Sequence, residues 1–284
     1  MEEASPTTPE LGSYIYCIIG TSEPKSFGPY GIPEGLPELY TVNHRDLAAV
    51  VSRAPVKEYP VTREHTMAHH QVIERLMPEH AVLPVQFSTV AKRDGQIVEQ
   101  VLKPRYEEFQ RLLQWIAGKE AIEVRASWND MEAVFQELAQ ESEAIQALKA
   151  RIADRPADAT YYDRIELGTL VQELLKAKQR KTADRMLETL KPHACDWRDN
   201  SKTLYGDRRI GYLAFLVEQD KTAAFDQAVA ELRAASNGRI NVKVNRRVAP
   251  FDFVTIIIKL NEETEPSAQA ETETDVTAAG PAEG

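Results

Sequence analysis

The chain has 284 residues, ordinary hydrophobic content and a formal net charge of −10. That length suits two domains, and no apolar run approaches the roughly 20 residues needed to cross a bilayer. The opening MEEASPTTPELGS is acidic and Pro/Thr-rich, without the basic and apolar regions of a secretory signal. Seven acids (Glu262, Glu263, Glu265, Glu271, Glu273, Asp275 and Glu283) and no base lie between Asn261 and Gly284; without them the charge is −3. The rest is therefore only mildly acidic and has no basic stripe for a phosphate backbone, which argues against nucleic-acid binding.

Residues 1–12 read as a flexible arm and 261–284 as an acidic disordered tail with almost nothing to bury. Between them YIYCIIG, residues 14–20, is apolar on both faces and predicts a buried central strand. SEPKSFGPYGIPEGLP is a Pro/Gly-dense loop. LYTV (39–42) and LAAVVSR (47–53) predict short strands. A helix follows from about Thr62, its N-cap, to Met77, where Pro78 stops it. VLPVQFSTV (82–90) predicts one strand, with Pro84 at an edge or bulge. Residues 95–117 predict helix interrupted at Pro104, with Tyr106, Phe109, Leu113 and Ile116 on one face and Gly118 as terminator. A domain boundary is placed there, giving an N-terminal α+β domain over 13–118 and a second domain over 119–260.

The second half opens with the strand AIEVRAS (121–127). Asn129 with Glu132 resembles a capping box. The helix after it carries Met131, Leu138, Ile145 and Ile152 at seven-residue spacing, to about residue 152. DRPADAT breaks the pattern, and a second long helix is expected from about Tyr162 to Leu190. Two amphipathic helices joined by a short polar loop predict an antiparallel hairpin. A weak strand at 194–201, the strand GYLAFLV (211–217), a helix over 222–235 ended by Asn237-Gly238 and the strand INVKV complete a β-α-β-β-α-β order. With the hairpin as an insertion, that is the split βαβ, ferredoxin-like arrangement. VTIIIKL (254–260) is expected to close the fold as a last strand, with Lys259 and the acidic tail guarding its aggregation-prone composition.

Four of the six histidines lie in EHTMAHHQVIERLMPEH, residues 64–80. His65 and His69 share a helix face, a spacing that can seed a zinc site. The metalloprotease pattern needs Glu after the first His, and here it is Thr66. His69 also lies in line with Val72, Ile73 and Leu76, so a packed ring bonded to a backbone carbonyl explains it as well. The structural reading is adopted and no metal or cofactor is assigned; a metal-dependent hydrolase built on His65 and His69 is the alternative. There is no GxSxG elbow, P-loop or GxGxxG, and Ser13, Ser88 and Ser127 sit in or beside strands. Cys17 and Cys195 are expected as buried thiols of a cytosolic protein. APFDFV (249–254) reads as a proline kink with Phe251 and Phe253 in the core, or as an exposed edge that receives a partner.

The strand YIYCIIG, the helix with His69-His70-Gln71-Val72-Ile73-Glu74, the segment Leu83 to Val90, the boundary Gly118 to Glu120 and the closing Ala249 to Val254 occur in an order that resembles the gas vesicle GvpL/GvpF proteins. The resemblance covers about residues 13 to 260. It places the family's helix histidine at His69, its L-P-x-R-F-G-T at Leu83, Pro84, Phe87 and Thr89, and its closing P-P-Y-x-F at Pro250, Phe251 and Phe253. Gln86 stands in place of Arg and Ser88 in place of Gly, from which no positive φ is expected at Ser88. Ala249 and Phe251 replace a Pro and a Tyr. The resemblance implies a two-domain α+β protein whose second domain is a modified ferredoxin-like fold. It also implies a non-catalytic accessory role in gas vesicle formation, in the cytoplasm and at the vesicle. The implied partners are the small hydrophobic shell protein and other accessory proteins, met at the sheet edge near VTIIIKL or at the helical hairpin. A ferredoxin-like small-ligand sensor is a third reading.

Overall fold

The computed structural model describes residues 10–156, 158–203 and 206–261. Most of the N-terminal arm and nearly all of the acidic tail lie outside them. The first sheet is built from β1 (Leu11–Gly20), β2 (Ser26–Gly28), β3 (Leu39–His44), β4 (Leu47–Pro55), β5 (Val82–Pro84) and β6 (Val90–Ala91). Its order is β2-β3-β4-β1-β5, with β6 also paired to β1. β1 begins at Leu11, inside the expected arm, and the expected Pro/Gly loop contains the short β2. As its two-sided composition predicts, β1 is buried at every position between its two end residues.

A register shift lies between Ile15 and Cys17 opposite β4. This bulge resets the alternation, because one extra residue turns the following side chains to the other face. Tyr14, Tyr16, Cys17 and Ile19 therefore share one core with Val72, Ile73 and Leu76 of α1 (Arg63–Leu76). Ile15 and Ile18 face the other way. There they meet α2 (Asp94–Ile97), the π-helical turn Val98–Leu102 and α3 (Tyr106–Ile116). The sheet is thus the middle of three layers. The helical stretch breaks at Pro104 as expected, and Gly118, at φ +70°, follows its end.

The second sheet contains β7 (Lys119–Trp128), β8 (Asp196–Asp199), β9 (Arg209–Glu218) and β10 (Ile240–Asn245) in the order β10-β7-β9-β8, every neighbour antiparallel. Numbered within this half, that is 4-1-3-2, the split βαβ arrangement. α4 (Met131–Glu141), α5 (Glu143–Ala153), α6 (Tyr161–Leu190) and α7 (Thr222–Ala235) belong to the same half. One face of β7, Ile122, Val124, Ala126 and Trp128, packs under Leu138, Ile145, Met186 and Phe225. From the other face Ala121 and Leu216 join the core of the first sheet. On that face the Tyr212 hydroxyl donates to Glu123 Oε1 at 2.6 Å and Asn245 Nδ2 donates to Glu123 Oε2 at 3.2 Å.

Several expectations are corrected. The single strand over 82–90 is two short pieces separated by a turn. The single helix to residue 152 breaks at Ser142, which is extended (ψ 108°), ends α4 and accepts from Ile145 N–H to cap α5. The cap of α4 is Asp130, which accepts from Glu132 and Ala133 N–H; Asn129 instead donates to Gly238 O at 2.7 Å. VTIIIKL is no ladder strand of the second sheet. It runs extended along the first sheet and makes one parallel bridge, Ile256 with Val85. Cys17 is buried, whereas Cys195 is exposed; both are free thiols.

Candidate functional site

Thr62 caps α1 by accepting from His65 N–H, so its hydroxyl lies beside the first histidine ring. His65 Nδ1 is 2.6 Å from that hydroxyl and Nε2 is 2.7 Å from Glu34 Oε2. One turn on, His69 is fully buried. Its Nδ1 is 3.1 Å from the Tyr14 hydroxyl and its Nε2 3.1 Å from Val85 O. Burial, with a smaller contribution from the charge of His70, lowers His69 to about 4. The ring is therefore neutral at neutral pH. A carbonyl can only accept, so Nε2 carries the proton and Nδ1 accepts from Tyr14. The Tyr14 oxygen in turn accepts from Ser88 N–H at 3.0 Å.

This chain of bonds ties α1, β1 and the turn after β5 together, and it uses both nitrogens of both rings. Neither histidine offers a free lone pair to a metal, and among the described residues no group of three His, Cys, Asp or Glu could hold one. Tyr14 and Tyr16 are pushed up by burial, so the phenols do not ionise at neutral pH. Around His69 the arrangement supplies shape and satisfied polarity.

Several of the other anticipated residues gather around the same seam. Phe87 places its ring 5.7 Å from His69. Thr89 donates from its hydroxyl to Gln86 O at 2.7 Å and closes the turn. Ser88 has φ +66°, against expectation. The left-handed conformation that a glycine adopts freely is held here by bonds, from Ser88 N–H to Tyr14 and from Tyr59 N–H to Ser88 Oγ at 2.7 Å. The closing motif is a turn in which Phe253 and Val254 N–H both donate to Pro250 O. Phe251 stacks on His70 at 4.7 Å and 24°. Leu83 and Phe253 face the opposite core, and Arg198 lies 5.4 Å from the Phe253 ring. Pro84 O accepts from Ile256 N–H at 2.7 Å. Phe251 and Phe253 are half-buried, so APFDFV is a packed turn with its rings at the margin of two cores.

Sequence reasoning missed Tyr14 and Glu34. A signal for Tyr14 existed: a phenol in a strand buried on both faces must find a partner. Glu34 had none, because it lies in a loop 31 residues from His65.

Comparisons with known proteins are specific. The family model of the gas vesicle synthesis protein GvpL/GvpF matches residues 12–255. Gas vesicle protein F of Nostoc sp. strain PCC 7120 is 25% identical over 244 residues, covering 80% of this chain and 97% of its own length. Gas vesicle protein F2 of Halobacterium salinarum is 26% identical over 249 residues, covering 86% and 93%. The crystal structure of gas vesicle protein GvpF from Anabaena sp. PCC7120 superposes with a TM-score of 0.73 at 22% identity, covering 86% of this chain and 98% of that one. That of Microcystis aeruginosa GvpF gives 0.65 at 17% identity, covering 85% and 98%. These likenesses show the same α+β fold with its two sheets. The match runs from β1 to the turn at Pro250, and so takes in the histidine helix and the seam around it. The chain belongs to the GvpL/GvpF family of gas vesicle synthesis proteins.

Proposed function

We propose that this protein is a non-catalytic accessory of gas vesicle formation that binds the small hydrophobic shell protein, keeps it from aggregating and supports nucleation or delivery at the growing vesicle. The observation that carries this reading is the family match over residues 12–255. The closed histidine network supports the non-catalytic part, since its ring nitrogens are already spent inside the fold. The working places are the cytoplasm and the vesicle, and other accessory proteins are partners in the same process.

Two surfaces suit an apolar client. On the hairpin, Phe135, Tyr161, Tyr162 and Ile165 are exposed. A groove of about 540 Å³ runs between α5 and α6, lined by Ala144, Ala147, Leu148 and Leu170 together with Arg151, Glu166, Thr169 and Glu173. An amphipathic helix can lie in such a groove, and a strand can add to an open sheet edge. The other surface is that edge, the extended segment after Val254. Seven acidic side chains after Asn261 would keep a carrier–client complex soluble.

The test is co-expression of the tagged full chain with the shell protein. The shell protein is expected to stay soluble and co-purify. Precipitation of the shell protein with nothing retained on the tag would refute direct carrying. Replacing Phe135, Tyr162 and Ile165 by Glu then separates the hairpin from the edge as the contact surface.

A further inference from the structure

The last described segment, Val254–Asn261, is held in an unusual way. Its ladder to the first sheet is one bridge: Ile256 N–H donates to Pro84 O and Gln86 N–H donates to Ile256 O at 2.9 Å. Beyond it the main chain is gripped by side chains. Arg105 Nη1 donates to Ile257 O at 3.0 Å. Gln96 Nε2 donates to Asn261 O at 3.0 Å, and Asn261 N–H donates to Gln100 Oε1 at 3.0 Å. These grips are built in advance. The other nitrogens of Arg105 hold Glu108 at 2.8 Å each, and its guanidinium lies 4.7 Å from the Phe109 ring. Gln96 is only 5% exposed, and its Oε1 is fixed by Lys92 N–H at 3.0 Å.

A clamp on main-chain atoms accepts any extended segment. Selection comes from the floor, which takes Ile256, Ile258 and Leu260, every second residue, into the core of the first sheet. Thr255, Ile257 and Lys259 point outward. Beside the segment lies a depression of about 260 Å³ lined by Gln100, Val101, Arg105, Ile257, Ile258 and Lys259.

We propose that the groove between the turn after β5 and the helical stretch from Gln96 to Glu108 is a strand-recognition site. It takes an extended segment with an aliphatic residue at every second position, and the chain's own Val254–Asn261 keeps it closed. Its occupant in trans is an aliphatic segment of the shell protein; that identity rests on the function proposed above, whereas the groove itself does not. With one bridge, the strap is the weakest attachment in a sheet whose β1–β4 pair runs the full length of both strands, so it is the part that opens first. Main-chain grip with alternate side-chain pockets is the chemistry of strand addition.

The probe is a labelled, end-capped peptide of the strap's own sequence, VTIIIKLN, titrated into full-length proteins. In the strap variant Ile256→Ser/Ile258→Ser/Leu260→Ser the peptide is expected to bind about tenfold or more tighter than in the unaltered chain. A peptide with serine at the same three places is expected to bind neither. Adding Arg105→Ala and Gln96→Ala to the strap variant is expected to weaken peptide binding about tenfold. Equal affinity for the unaltered chain and the strap variant, or equal binding of the serine peptide, overturns the proposal. Should the strap variant not fold, amide exchange in the unaltered chain decides. Ile256 and Asn261 are expected to exchange at least about a hundredfold faster than the β1 amides, and exchange as slow as β1 overturns a displaceable strap. Peptide binding without capture of the shell protein would refute the carrier function and leave the groove standing; capture without peptide binding would refute the groove alone.

Discussion

His69 shows how one buried side chain makes stability depend on pH. An unfolded histidine titrates near 6.5 and this one, folded, near 4. Between those values the unfolded chain binds a proton that the folded chain refuses. Stability that is complete above pH 6.5 is therefore lost as the pH falls toward 4, by roughly 3 kcal/mol over the span. Burial lowers His70 as well, with the same sign. The urea midpoint should fall on acidification, and His69→Gln should flatten that fall; parallel curves for both proteins would exclude His69 as the group. Its neighbours carry a second prediction. Tyr14→Phe orphans Ser88 N–H and His69 Nδ1, at a cost of about 1–3 kcal/mol. Ser88→Ala keeps the left-handed backbone and loses the acceptor for Tyr59 N–H, so it should cost about 1–2 kcal/mol. Ser88→Gly loses the same acceptor but relieves backbone strain of about 1 kcal/mol, and should be close to neutral. Equal costs by chemical denaturation would mean that φ +66° is unstrained here.

At the scale of elements, hydrophobic period found the pieces and misjudged their joints. Met131, Leu138, Ile145 and Ile152 read as one stripe because a single extended residue, Ser142, separates two helices whose buried faces still meet the same core. Asn129 and Asp130 are adjacent and both suit an N-cap; only the position of Gly238 shows that Asn129 is occupied elsewhere. Asp130→Ala should cost about 1 kcal/mol in a thermal or chemical melt. An unchanged midpoint would show that water caps α4 equally well. The composition of VTIIIKL marked it as an extended segment, and Val254, Ile256, Ile258 and Leu260 do face a core. Its partner was not legible, because a period of two specifies which face is buried and says nothing of which strand lies alongside.

Across the whole molecule the two sheets share apolar packing. Ala121 of β7 and Leu216 of β9 belong to the cluster that contains Ile15, Phe109 and Ile256. A cut near Gly118 therefore separates two sheets but divides one core. Leu216→Ala should destabilise by about 2–5 kcal/mol. Because that residue is common to both halves, the protein should still unfold in one transition, with calorimetric and van't Hoff enthalpies equal. Two resolved transitions would show that the halves fold independently.

From the sequence alone came the α+β class, the central two-faced strand, the β-α-β-β-α-β order of the second half and the family resemblance. Each rests on local information: period, caps, breakers and the order of short motifs. Only the tertiary structure decided that His65 meets Glu34, that His69 meets Tyr14 across 55 residues, that Ser88 is left-handed and that the closing segment caps the first sheet. Those choices depend on which distant groups loop closure brings to a buried polar atom or an open edge, and neighbouring residues in the chain carry no record of that pairing.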